Sequence, residues 1–395
     1  MHVFRQIFAV TGMNLRALPA RLTASAVAVI GIAGVVIILI AVLSISEGFR
    51  RTLELAGSDS VVVVLSGNST SEMTSNFSQE QVQIIEQAPG IALDGKTPVV
   101  SAELFTTVDQ PKRSTGTPAN APLRGVEPEA LRTRDHFRLI EGRMFEPGRY
   151  EVIVGRGAAH SLSGLEVGRT VRWGNNDWRV VGTFSDGGSV SESEVWTDTR
   201  VLQGAYQRGS SFQTVRARLV SPASFKAFKD QLTTDPRLSL NVLTEREFYA
   251  AQSAILATVI RGAGTVLGLL MGIGAVFGAL NTMYSAVATR STEIATLRAL
   301  GFAGLPVAVS VVIEALLLAL AGGLIGAAVA YLAVDGLQTS TLNYSSFSQV
   351  SFAFAVTPSL VASGTLYALL LGLIGGVFPA IHAARQSVIA GLREG

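Results

Sequence analysis

The sequence predicts a membrane protein with four transmembrane α-helices and a large extracytoplasmic mixed α/β domain between the first and the second. Three observations carry that expectation. Apolar stretches long enough to cross a hydrocarbon core of roughly 30 Å recur at 22–46, 255–289, 305–334 and 359–380. Charge is segregated: of 31 Lys/Arg and 29 Asp/Glu, only 8 and 4 lie outside residues 47–254. Finally, Arg5, Arg16 and Arg21, then Arg290 and Arg298, then Arg385 and Arg393 all flank the spans on one side, while the 335–358 loop has no Lys or Arg. Basic residues near span ends stay cytoplasmic, so both termini and the segment at 290–304 are expected inside, and the large domain outside.

The elements follow in order. Residues 1–21 alternate Phe4, Ile7, Phe8 and Val10 with arginines, which predicts an amphipathic helix on the membrane surface. The uncharged run at 22–46 exceeds the roughly 7–15 residues of a signal-peptide core, so it reads as a retained span. Residues 47–254 have the length of an ordinary soluble domain. Strands are expected at 60–65, 97–108, 150–154, 170–173, 177–184 and 215–220, and helices at 78–87 and 222–232. Residues 142–211 are nearly all short strand and turn, which predicts a β-rich insertion within an α/β part. A helix beginning at Glu245 continues into the second span. The third span carries one charge, Glu314. An extracytoplasmic loop at 335–358, the fourth span and a cytoplasmic tail at 381–395 complete the chain.

Several chemistries are excluded. The net charge of +2 and the absence of any Lys/Arg run argue against nucleic acid. Cysteine is absent, so disulfide and thiolate chemistry are impossible. The histidines, at 2, 136, 160 and 382, are scattered without acidic companions at metal spacing. No catalytic constellation and no metal site is expected. Residues 90–97, G-I-A-L-D-G-K-T, satisfy the phosphate-loop pattern, but that chemistry needs a strand before the loop and a helix after it. Here a helix precedes and Pro98 follows, so a helix-to-strand turn is expected. Glu192 and Glu194 alternate with serines and would share one face; a solvated loop is expected, with a site for a basic partner as the alternative.

Between the second and third spans, Ile294, Leu297 and Leu300 recur at helical spacing. Too few residues separate them from the spans for a soluble core. A short amphipathic helix on the membrane surface, or against a partner, is expected. Its sequence E-I-A-T-L-R-A-L-G-F, from Glu293 to Phe302, resembles the signature of MacB/FtsX-like (type VII) ABC-transporter permeases. The C-terminal Phe378–Glu394 stretch is similar to that family's ending, although His382 and Gly391 depart from its usual residues. The four-span plan, with an interrupted α/β domain outside, is also the family's.

The resemblance implies a coupling helix seated on a separate ABC ATPase. Ile294, Leu297 and Leu300 would fill a groove there, Glu293 and Arg298 would set register at its rim, and Gly301 would belong to the same coupling segment. It further implies a permease dimer, either of two copies or with a related chain, in the inner membrane. ATP and Mg would reside on the ATPase and no cofactor on this chain. MacB-like members export substrates with a periplasmic adaptor and an outer-membrane duct; FtsX-like members instead switch wall hydrolases, and others release lipoproteins. Gly264, Gly268 and Gly272 share one face of the second span, and Gly274 and Gly278 another, which suits close helix packing or a dimer seam among the membrane lipids. Glu314 is expected to be structural, reaching the headgroups or pairing with an arginine such as Arg298.

Overall fold

The computed structural model describes residues 2–17, 22–343 and 345–386. Its helices are α1 (His2–Ala17), α2 (Leu22–Ala56), α3 (Gln79–Glu86), α4 (Arg156–Ser161), α5 (Thr199–Ala205), α6 (Phe225–Thr234), α7 (Glu245–Ala288), α8 (Ser291–Ala299), α9 (Gly304–Val334) and α10 (Pro358–Arg385). Its strands are β1 (Val61–Ser66), the two-residue β2 (Leu93–Asp94) and β3 (Thr97–Pro98), β4 (Val100–Pro111), β5 (Pro118–Val126), β6 (Phe137–Gly142), β7 (Glu151–Gly155), β8 (Thr170–Trp173), β9 (Asn176–Asp186), β10 (Val195–Asp198), β11 (Thr214–Arg218), β12 (Leu240–Thr244), β13 (Gln338–Asn343) and β14 (Ser348–Ala353). They form two compact units: Met1–Glu47, Val259–Gly336 and Ala355–Gly395 in the first, Gly48–Thr258 and Leu337–Phe354 in the second.

In the first unit, the portions of α2 and α7 that belong to it pack with α9 and α10. Four helices among the described residues are long and apolar enough to cross a membrane: Ser25–Ala56, Glu245–Ala288, Gly304–Val334 and Pro358–Arg385. Small residues set their spacing. A Cβ at Gly326 would stand 2.7 Å from the Ala33 carbonyl oxygen, and one at Gly372 would stand 2.3 Å from the Ala319 Cβ. In lipid, such approaches let dispersion and packing hold helices together where no hydrophobic effect does. Thr357 caps α10, its hydroxyl accepting from Leu360 N at 3.2 Å, with Pro358 in the first helical position. Helix α1 is pinned to α9 by Asn14, whose Nδ2 donates to Ser310 Oγ at 2.8 Å. Residues 18–21 and 387–395, which include Arg21, Gly391 and Arg393, lie outside the described residues.

The second unit is built on a ten-stranded sheet in the order β12-β1-β11-β4-β5-β10-β7-β9-β6, with β8 on β9. The β-rich stretch at 142–211 is not a separate sheet. Its β10 lies parallel to β5, pairing Val195–Asp198 with Leu123–Val126. Strand β4 is twelve residues long, and its start pairs with β11 while the remainder pairs with β5. One continuous strand therefore joins two apolar clusters, one around Val62, Phe77 and Phe228, the other around Leu123, Trp178 and Leu202. The 222–232 helix is divided into a 3-10 turn and α6.

The 335–358 loop also differs from expectation, since it carries the β13–β14 hairpin and its stretch Leu337–Phe354 belongs to the second unit. Asn120 Nδ2 donates to the Phe347 carbonyl at 2.9 Å, Ser351 N donates to Ser193 Oγ at 2.8 Å, and Phe352 meets Phe49 edge-on. Gly48 is required there, because a Cβ would fall 2.1 Å from the Ala353 carbonyl oxygen.

A buried ion network crosses this sheet. Arg124 donates to Glu72 and Glu194, each at 2.8 Å, and to Glu103 at 2.9 Å, and Arg134 donates to Glu103 at 2.6 Å. Arg216 pairs with Glu245. Glu192 and Glu194 are thus not on a solvated loop: both are buried, Glu194 on Arg124 and Trp196 Nε1, Glu192 accepting from the Asp186 and Gly188 amides at 2.8 Å. Burial would raise the Glu103 carboxyl, but Arg134, Arg124 and Arg216 hold it down at about 2.

Glu127 has no such partner. Burial pushes its carboxyl up to about 7, helped by repulsion from Glu86, Glu129 and Glu103 and opposed by the Ala102 amide. A carboxyl raised on folding stabilises the protein fully below its unfolded value near 4.5, and that contribution is lost as pH rises through about 7. Glu127→Gln keeps the acceptor for Ala102 N. It should therefore raise the melting temperature by several degrees above pH 7 and leave it unchanged near pH 4, as followed by tryptophan fluorescence. Equal shifts at both pH values would refute the raised carboxyl.

Candidate functional site

The segment between α7 and α9 folds as expected from its spacing, into the nine-residue α8. Its end is written in Leu300-Gly301-Phe302. Gly301 takes φ +94°, its amide donating to the Arg298 carbonyl and the Phe302 amide to the Leu297 carbonyl, both at 3.1 Å. That six-to-one and five-to-two pair is the Schellman ending, which needs a left-handed residue at this position. Gly301 acts as the terminator of the helix.

The side chains divide differently from the resemblance. Ile294 is buried within its own unit, packed with Val287, Val307, Val311, Ala380 and Ala383. It is not free to fill a partner's groove in this conformation. Leu297 is half-buried, whereas Leu300 is 73% exposed, and Glu293 and Thr296 share the open side. Arg298 is half-buried and its Nη1 donates to the Ala384 carbonyl, with Gln386 O at 3.4 Å, so it caps the end of α10. A basic side chain at a helix C-terminus satisfies carbonyls that have no intrahelical donor.

Glu314 does pair with an arginine, but with Arg290 instead of Arg298. Arg290 Nη1 donates to Oε2 at 2.7 Å and Nη2 to Oε1 at 3.3 Å, with both residues buried. The pair holds the start of α8 to α9. Sequence reasoning named Arg298 as the example because the segment offers two arginines, Arg290 and Arg298, to one acid in an apolar helix, and spacing alone does not choose between them.

The glycines also divide. Gly264 lies beside Val42 and Leu43, Gly268 beside Leu39, and Gly272 beside Tyr367, whose hydroxyl donates to the Gly268 carbonyl at 2.6 Å. These three serve packing within the chain. A Cβ at Gly274 or Gly278 would meet no other part of the described structure within 4 Å, and Leu270 and Phe277 are exposed on the same helix. The phosphate-loop look-alike forms the β2–β3 hairpin around Gly95, followed by strand β4 instead of a helix.

Residues 25–235 match the family described as MacB-like periplasmic core domain, and residues 265–388 that described as FtsX-like permease C-terminal. Both on one chain define a membrane permease of the ABC-transporter class. The chain belongs to the MacB/FtsX-like family of these permeases. It is 22% identical over 65% of its length to an uncharacterised ABC transporter permease of Methanocaldococcus jannaschii, covering 66% of that protein. It is 29% identical over 36% of its length to the uncharacterised permease YknZ of Bacillus subtilis, covering 32% of it. Against a macrolide export ATP-binding/permease protein MacB of Paracoccus denitrificans, identity is 24% over 93% of this chain and 55% of that one. The chain thus spans less than two thirds of each relative's length. Among solved structures, the periplasmic region of MacB from Actinobacillus actinomycetemcomitans is 13% identical, with a TM-score of 0.38 over 51% of this chain and 96% of that one.

Proposed function

We propose that this chain is the permease subunit of a type VII ABC transporter, coupling ATP hydrolysis by a separate ATPase to motion of its periplasmic unit. The observation that carries the reading is the joint presence of both family matches with the free, exposed side of α8. The subunit sits in the inner membrane with both termini and α8 in the cytoplasm. It crosses four times, with the large unit between the first and second spans. Two permease chains associate along the open Gly274 and Gly278 face. ATP and Mg bind the ATPase, and this chain hydrolyses nothing. Thr292, Glu293, Thr296 and Leu300 meet the ATPase, while Ile294 and Arg298 hold α8 to its own bundle. Helices α2 and α7, each of which contributes to both units, carry the stroke outward.

The working output is export, driven with a periplasmic adaptor and an outer-membrane duct; the macrolide-export name of the Paracoccus relative supports this branch. Affinity purification of the chain from native membranes, followed by mass spectrometry, is the test. An ABC ATPase should co-purify, together with a periplasmic adaptor. A wall hydrolase in place of the adaptor would move the protein to the switching branch, and a lipoprotein to the releasing one. Absence of any ATPase would end the permease reading.

A further inference from the structure

The first unit contains a cavity of about 390 Å³ between α1, the end of α7, α8 and the start of α9. That volume is in the range of small-molecule sites. Its walls are mainly apolar, including Val10, Met13, Leu297 and Val311, and the charged groups on it among the described residues are Arg290, Glu314 and Glu293. Arg290 is buried, and while its two terminal nitrogens reach Glu314, its Nε finds no hydrogen-bond partner. A buried donor without an acceptor is costly and needs an explanation.

The charges restrict what can satisfy it. Arg290 is already neutralised by Glu314, and exposed Glu293 gives the described lining an excess negative charge. A phosphate or carboxylate is therefore disfavoured, and a neutral acceptor on an apolar body is favoured. Helix α1 shows where such a molecule is plentiful. Val10, 2% exposed, lies on the inward side, whereas Phe4 and Phe8, 72% and 78% exposed, form an apolar outer stripe one turn apart. Such a stripe on a surface helix is suited to the boundary between headgroups and acyl chains. Met13 is both exposed and part of the cavity wall, so the cavity adjoins that boundary.

We propose that this cavity holds one acyl chain of a zwitterionic diacyl phospholipid, with the glycerol-ester carbonyl accepting from the Arg290 Nε–H. The headgroup stays outside, near the α1 surface. Because Leu297 and Ile294 line the same cavity, the lipid props α8 from behind, and emptying the cavity loosens the helix. The site rests on these helices lying in a bilayer, as in the proposed function, but not on α8 binding an ATPase.

The test uses the full chain reconstituted in vesicles of phosphatidylethanolamine, or of equal parts phosphatidylethanolamine and phosphatidylglycerol, then released for native mass spectrometry. Ala286, on the cavity wall, is changed to Phe to fill the space. Arg290→Lys keeps the charge opposite Glu314 and removes the Nε–H. Wild type should retain one lipid per chain. Occupancy should fall about tenfold in Ala286→Phe and several-fold in Arg290→Lys, and phosphatidylglycerol should not be enriched over its share. Equal retention by wild type and both variants would overturn the proposal, as would selective capture of phosphatidylglycerol or retention of detergent alone. If Ala286→Phe does not yield folded protein by its melting curve, Arg290→Lys decides. The permease reading fails by a missing ATPase, this one by the lipid count, so the two failures are separable.

Discussion

Under the proposed coupling role, Leu300→Asp is expected to abolish the stimulation of a partner ATPase's turnover, while leaving the chain's own melting curve unchanged. Leu300 is 73% exposed, so the substitution removes little that the fold uses. On the partner's side, a central apolar anchor contributes roughly 2 kcal/mol or more, about thirty-fold in affinity. A carboxylate left in the same groove adds its desolvation. Ile294→Asp is the contrasting variant. Its side chain lies among Val307, Val311 and Ala383, so the new charge is buried without a partner and the membrane unit itself should be destabilised. Measuring ATPase stimulation and thermal stability side by side separates the two. Full stimulation by Leu300→Asp would remove α8 from the coupling role. A stable, uncoupled Ile294→Asp would instead mean that α8 turns over when the ATPase binds.

Glu103→Ala should lower the stability of the outer unit by on the order of 3–5 kcal/mol, because removing one member of a buried pair leaves uncompensated charge behind. Glu103 is 0% exposed and bonds Arg124 and Arg134, and its loss leaves both guanidiniums short of acceptors. For a unit of this size that corresponds to a melting shift of roughly 10 °C. The chain's three tryptophans, Trp173, Trp178 and Trp196, all report on this unit. Glu166→Ala is the control. Its pair with Arg113 is about half exposed on both sides, and such surface pairs contribute about 0–1 kcal/mol. If Glu103→Ala and Glu166→Ala shift the melt equally, the network does not brace the sheet.

The sequence by itself determined what depends on local composition and period. Long uncharged runs marked the apolar helices, since length and hydropathy are properties of a contiguous stretch. Charge density marked the outer unit. The spacing of Ile294, Leu297 and Leu300 marked α8, because a helix period is written within ten residues. Only the tertiary structure decided which side of α8 is free. Periodicity reveals an apolar face but not whether that face meets the chain's own bundle or a partner, and here Ile294 went to the bundle while Leu300 stayed outside. The same limit explains the pairing of Glu314 with Arg290, the burial of Glu192 and Glu194, the return of the β13–β14 hairpin to the outer unit, and the division of Gly264, Gly268 and Gly272 from Gly274 and Gly278. Each joins groups far apart in the chain, and a charge or a glycine carries no local mark of the partner that folding brings to it.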